Sequence, residues 1–258
     1  MHDILNSKTE KEIIKPEYYN EYKVNIKFFH NELTMLNSTT FIMNKILEFP
    51  FDIFCKNPDD RTFFYIVIRN FYDYSLIKIS RLFKDSDDKT YNLRKFIDKM
   101  IPKYIKLEYQ KNFIPRIKKL KSNKLLASNI LKRVYKLRNN IIAHSVKEFV
   151  DNPEIIKHIN FNELKKLQDY SNQLFGCLFF DIKYNTLFTP YNEEISNHSR
   201  IDIEKILDCF AKESPILNTP ERYKYPSVRN SIINKWSNET LNTINKYRKK
   251  FGYTKITR

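Results

Sequence analysis

The chain has 258 residues, of which 41 % are hydrophobic and 15 % aromatic, a composition that excludes a disordered polypeptide and suffices for a real core. Only two glycines occur, Gly176 and Gly252, which excludes a Gly-rich phosphate loop, a Rossmann turn and a run of tight hairpins. The formal net charge of +16 favours a polyanionic partner, most simply nucleic acid, though abundant Lys, Asn and Ile are also what AT-rich coding produces.

Residues 1–15 are polar and read as a flexible tail without a basic-then-apolar signal pattern. Pro16 is placed to open a helix that carries Tyr19, Tyr22, Ile26, Phe29, Leu33 and Leu36 at spacings of three and four. A second helix is predicted from about Asp60 to Phe83, capped by Asp59-Asp60, with Phe64, Val67, Phe71 and Tyr74 on its buried stripe. Lys84 to Lys89 form a polar loop, after which Thr90 opens a shorter helix with Leu93, Phe96 and Ile97.

The next stretch, Lys103 to Arg138, holds twelve cations against Glu108 alone. Ile130, Val134, Leu137 and Ile141 recur at helical spacing within it, so one face is buried and the cations point outward. Asp151-Asn152-Pro153 breaks the pattern. Asn160 and Glu163 then have the spacing of a capping box, opening a helix with Leu164, Leu167, Leu174 and Leu178 inside. Pro190 and Asn192 to Ser199 read as a connector. A helix near Ile201–Lys212, a Pro-rich link from Pro215 to Pro226, and a last helix closed by Tyr247, Phe251 and Gly252 complete the chain.

No convincing strand emerges. The fold class expected is all-α: a tail (1–15), a helical bundle (16–190) and a C-terminal helical extension (191–258) packed on it. The three cysteines, Cys55, Cys177 and Cys209, are scattered and imply a reducing compartment. The most apolar run, near Leu174–Ile182, falls far short of the ~20 residues of a membrane span. A soluble, cytoplasmic protein without membrane contact is expected.

The chemically dense segment is Arg138-Asn139-Asn140-Ile141-Ile142-Ala143-His144. Arg138 keeps its proton at physiological pH, and its planar fork matches phosphate oxygens. His144, with an ordinary pKa near ~6.5, can take a proton from a ribose 2′-hydroxyl or give one to a leaving oxygen. Asn139 and Asn140 can orient the imidazole or hold a phosphate. RNA supplies its own nucleophile, so this set needs no cofactor and no metal. On an ideal helix Asn140 and His144 stack one turn apart, while Arg138 and His144 lie roughly 120° from each other. Two copies facing across a two-fold axis would bring two arginines and two histidines into one cleft.

The string Leu137-Arg138-Asn139, closed by Ala143-His144-Ser145, resembles the signature of the HEPN superfamily, and most of all the abortive-infection U-type branch of phage-defence proteins. Tyr72 to Phe83 is similar to that branch's second core helix, and Ile244 to Gly252 to its ending. The resemblance implies a HEPN-like bundle that dimerises and, in active members, cuts RNA without metal. It makes Arg138 and His144 catalytic, with Asn139 supporting them. Val146 stands where HEPN toxins paired with a nucleotidyltransferase antitoxin carry a tyrosine, so control through that residue is not expected.

The function expected is a metal-independent endoribonuclease of phage defence or a toxin. Its RNA contacts would come from Asn140, Lys132, Arg133, Lys136, Tyr135, Lys118, Lys119 and Lys121. Its partners would be RNA, a second copy and an antitoxin or defence-system protein. The rival is a non-catalytic module binding RNA or a partner protein. His30 and His158 lack ligand partners at metal spacing, Asp85, Asp87 and Asp88 lack the glycine and terminal glutamate of a calcium loop, and most helical aromatics belong to the core.

Overall fold

The computed structural model describes residues 5, 7–55, 57–83, 91–118, 121–139, 159–178, 193–219 and 225–257; at 58, 60, 121–127 and 193–201 it describes the backbone alone. The predicted loop at Lys84–Lys89 with Thr90, the segment 140–158 and residues 179–192 therefore lie outside the described residues.

Order begins earlier than the polar composition suggests. Thr9 opens a single turn, α1 (Glu10–Ile13), its backbone N–H and hydroxyl donating to the Glu12 carboxylate at 2.7 and 2.9 Å. Ile13 and Ile14 are fully buried, and so is Leu5. Lys15 N donates to Tyr104 O and Lys106 N to Ile13 O, an antiparallel bridge between Ile14 and Ile105. The described part of the expected flexible tail is thus tied down. Its partner lies some ninety residues away, which local polarity cannot reveal.

Pro16 starts a 3₁₀ turn (Pro16–Tyr18) that runs into α2 (Tyr19–Glu48). Tyr22, Ile26, Phe29, Leu33 and Leu36 are buried as the spacing predicts. After α3 (Phe51–Phe54) comes α4 (Thr62–Phe83). Its stripe is not the predicted one: Phe64 is buried, but Val67, Phe71 and Tyr74 are only half-buried, and Leu76, Ile79 and Leu82 go inside. The first half of α4 is apolar on nearly every side, so periodicity names no face, and packing decides.

α5 (Leu93–Lys99) is opened by Asn92, whose side chain accepts from Lys95 N at 3.0 Å. Thr90, the expected opener, lies outside the described residues. A π-helical turn (Met100–Tyr104) follows, then α6 (Leu107–Lys118), α7 (Lys121–Leu137), α8 (Phe161–Gly176), α9 (Glu193–Glu213), α10 (Pro226–Ile233) and α11 (Asn238–Lys250). α9 starts at Glu193, so the predicted connector over 192–199 is helical from its second residue. Its polarity reads as loop because polar helix starts and loops share a composition. Among the described residues there are eleven α-helices and no strand beyond the single bridge, and the protein is all-α.

The chain divides into two compact units, Met1–Phe41 with Asn70–Asn197, and Ile42–Arg69 with His198–Arg258. In the first, α7 packs on α8, and α5 packs on α8 and on the π-helical turn. Its core joins the α2 stripe to Phe96, Phe113, Val134, Leu167 and Phe175. An amide triad sets the register of α2 against α8: Gln168 and Asn172 donate to Asn37 Oδ1 at 2.6 and 3.0 Å. In the second unit, Phe49, Phe51, Phe54, Phe64, Phe210 and Tyr247 form an aromatic cluster with ring centroids 4.7 to 6.1 Å apart. There Arg248, fully buried, donates to the carbonyls of Thr254 and Leu217, locking the chain's end onto α11.

Candidate functional site at the end of the basic helix

The geometry of α7 follows from its apolar spacing. Ile130, Leu131, Val134 and Leu137 are buried, which turns Lys132 and Lys136 outward, one turn apart and both exposed. Lys118, at the end of α6, is exposed as well. Arg133 lies beside the buried stripe on an ideal helix, and Arg138 falls within its arc, between Val134 and Leu131. On an ideal helix Lys136 and Arg138 lie roughly 160° apart, so the helix itself does not place them on one face.

Arg133 is committed. Its two terminal nitrogens reach the Glu163 carboxylate of α8 at 2.5 and 3.2 Å in a two-pronged pair, both side chains largely buried. Glu163 also accepts from Asn160 N at 3.2 Å, while Asn160 Oδ1 accepts from Glu163 N at 2.9 Å. The predicted capping box is present, and the same carboxylate ties α7 to α8. Tyr72 of α4 donates its hydroxyl to Ile159 O at 2.7 Å, holding the start of α8 from a third helix. Arg133, expected among the RNA contacts, is therefore part of the frame. Its acidic partner sits thirty residues away, and sequence spacing carries no trace of the pairing. Glu163 and Tyr72 had a sequence signal only as a cap and as part of the family-like helix.

At Arg138–Asn139 the backbone widens into π-helical winding, a feature frequent at functional sites. Arg138 is half-buried, and one guanidinium nitrogen donates to Asn139 Oδ1 at 3.2 Å. The remaining guanidinium N–H groups and the Asn139 amide nitrogen have no hydrogen-bond partner among the described residues. Arg138 is thus oriented by its neighbour, and among the described residues its other donors are not engaged. Tyr135 is half-buried. Asn140, His144 and Lys119 lie outside the described residues, as does the side chain of Lys121. Among the described residues no group of three or more His, Cys, Asp or Glu side chains converges as metal ligands would. No helix there is long and apolar enough to cross a membrane.

A helical bundle in which a basic helix ends on an arginine and a polar neighbour is the arrangement that the HEPN resemblance implies. The chain belongs to the AbiU2 family of HEPN proteins, whose family model matches residues 20–178, more than half of the sequence. The match starts with α2 and ends just past α8, leaving α9 to α11 beyond it. No curated protein and no solved structure matches the chain. The family marks this protein as an abortive-infection HEPN-type module.

Proposed function

We propose that the protein is a metal-independent endoribonuclease acting in phage defence or as a toxin. The observation that carries this reading is the Arg138 guanidinium, steered by Asn139 at the end of a basic helix and still holding donors for a phosphate. Arg138 clamps the scissile phosphate and offsets the charge that develops on its oxygens. His144 removes the 2′-hydroxyl proton, the 2′-oxygen attacks phosphorus, and the bond to the 5′-oxygen breaks. That oxygen leaves with a proton from an imidazolium, which the second copy's histidine supplies when two chains share the cleft. The products are a 2′,3′-cyclic phosphate and a 5′-hydroxyl. Lys132, Lys136 and Lys118 draw RNA towards the site through charge.

The test is cleavage of labelled RNA in EDTA by wild type and by His144→Ala, with the ends analysed. Cyclic-phosphate ends that vanish with His144→Ala support the reading. Retained cleavage in His144→Ala overturns it. Wild type that binds RNA yet produces no such ends is instead a non-catalytic module holding RNA or a partner protein.

A further inference from the structure

A cavity of about 460 Å³ opens between the first turns of α2 and α5, within the usual range for small-ligand sites, and none of its described lining residues belongs to α7. Part of its wall is apolar and exposed. Tyr91 is 41 % exposed and Val24 56 % exposed. The Tyr91 ring is stacked on Phe28, with centroids 4.2 Å apart and planes 21° from parallel, so it is held flat rather than free to rotate. A fixed aromatic ring bordering an open cavity suits a planar partner.

The polar groups around it are cationic and amide. Lys95 and Lys99 sit one turn apart on the face of α5 that lines the cavity. Lys99 has no hydrogen-bond partner among the described residues. Glu21 is the one carboxylate among the described lining residues, and it is already neutralised: Lys103 Nζ and Tyr104 OH donate to it at 2.7 and 2.8 Å. The balance left for a ligand is positive. Asn92 uses its oxygen to cap α5, and Asn25 uses its nitrogen on Glu21 O. Asn92 keeps its amide nitrogen and Asn25 its amide oxygen outside these bonds, and both residues line the cavity.

We propose that this cavity is a binding site for a nucleotide unit, its base on Tyr91 against the Val24 side and its phosphate on Lys99 and Lys95. Either a free mononucleotide or one residue of a single-stranded RNA has this chemistry. The site goes beyond the cleavage proposed above and does not depend on it, because none of its groups is Arg138 or His144.

The experiment measures binding of AMP, ribose 5-phosphate and a short uridine oligonucleotide to the full chain, by calorimetry, for wild type, His144→Ala, Tyr91→Ala and Lys99→Glu. Tyr91 and Lys99 are exposed, and an unchanged circular-dichroism melt shows each variant folded. The expected result is that Tyr91→Ala weakens AMP about tenfold but leaves ribose 5-phosphate unchanged, that Lys99→Glu weakens both, and that His144→Ala binds AMP as wild type does, while the oligonucleotide is compared in the His144→Ala background, where it stays uncut. AMP binding as tightly as the oligonucleotide makes the ligand a free nucleotide. Tyr91-dependent oligonucleotide binding well above that of AMP makes it an RNA strand. AMP and oligonucleotide affinities that ignore both substitutions overturn the proposal. So does a tetraglutamate peptide that binds this site more tightly than AMP, since the cavity is then a dock for acidic protein.

Discussion

Glu163 answers to three donors at once, and that crowding separates its role from that of the surface lysines. It joins α7 to α8 through Arg133 and closes the N-terminus of α8 through Asn160. Removing Arg133 leaves a largely buried carboxylate without its main cation, so Arg133→Ala should cost about 2 kcal/mol in urea unfolding. Its effect on RNA affinity should be salt-independent. Lys132→Ala and Lys136→Ala should do the reverse: no loss of stability, but each lowering the slope of log K against log salt by about 0.7. A flattened slope in folded Arg133→Ala would place its guanidinium on RNA instead. Asp169 allows a second residue-scale prediction. Burial holds its carboxyl above the ordinary value, with Lys165 opposing. A raised carboxyl favours the folded state while protonated, and that contribution is lost as the pH rises through the raised value. Ionised Asp169 therefore opposes folding at neutral pH. Asp169→Asn should raise the thermal midpoint at pH 7, and the gain should close as the pH falls below the ordinary Asp range of ~4.

Helix ends were the part of this fold most readable from sequence, because caps are local. Asn160 and Glu163 three apart, and a glycine after the last apolar turn, need no tertiary knowledge. Gly252 indeed sits at φ 78°, in the left-handed region. Asn160→Ala and Gly252→Ala should each cost about 1 kcal/mol in denaturant melts, the first by freeing an N-terminal donor, the second by straining the C-terminal turn of α11. What stayed hidden is long-range. The burial of Ile13 and Ile14 depends on Ile105, and the sequence alone does not place the stripe of α4 because Phe63, Tyr65 and Ile66, all more than half exposed, look as apolar as the buried positions. The site shows the same division. Arg138 and Asn139 can be named as candidates from residue type alone. Arg133 was not separable from its neighbours, since its function is set by a carboxylate on another helix.

At the scale of the molecule, the charge of +16 and the proposed pairing of chains pull against each other. Two such chains repel, and the repulsion is greatest where their basic helices meet. A polyanion lying between them reverses its sign, so RNA should promote dimers at low salt, measurable as a mass increase in light scattering with the His144→Ala protein, which leaves the strand uncut. Pairing also predicts a poisoning that a self-sufficient monomer cannot show. A cleft that takes its base from one copy and its acid from the other needs both histidines. Hybrid dimers of wild type and His144→Ala carry one histidine per cleft and lose a proton carrier. A roughly tenfold excess of His144→Ala should therefore lower RNase activity per wild-type chain about tenfold, an order-of-magnitude expectation because catalytic groups acting together are strongly non-additive. Unchanged activity per wild-type chain, with hybrid dimers demonstrated by mass spectrometry, would mean that each chain works with its own arginine and histidine. The two-fold cleft would then have to be abandoned even if cleavage itself were secure.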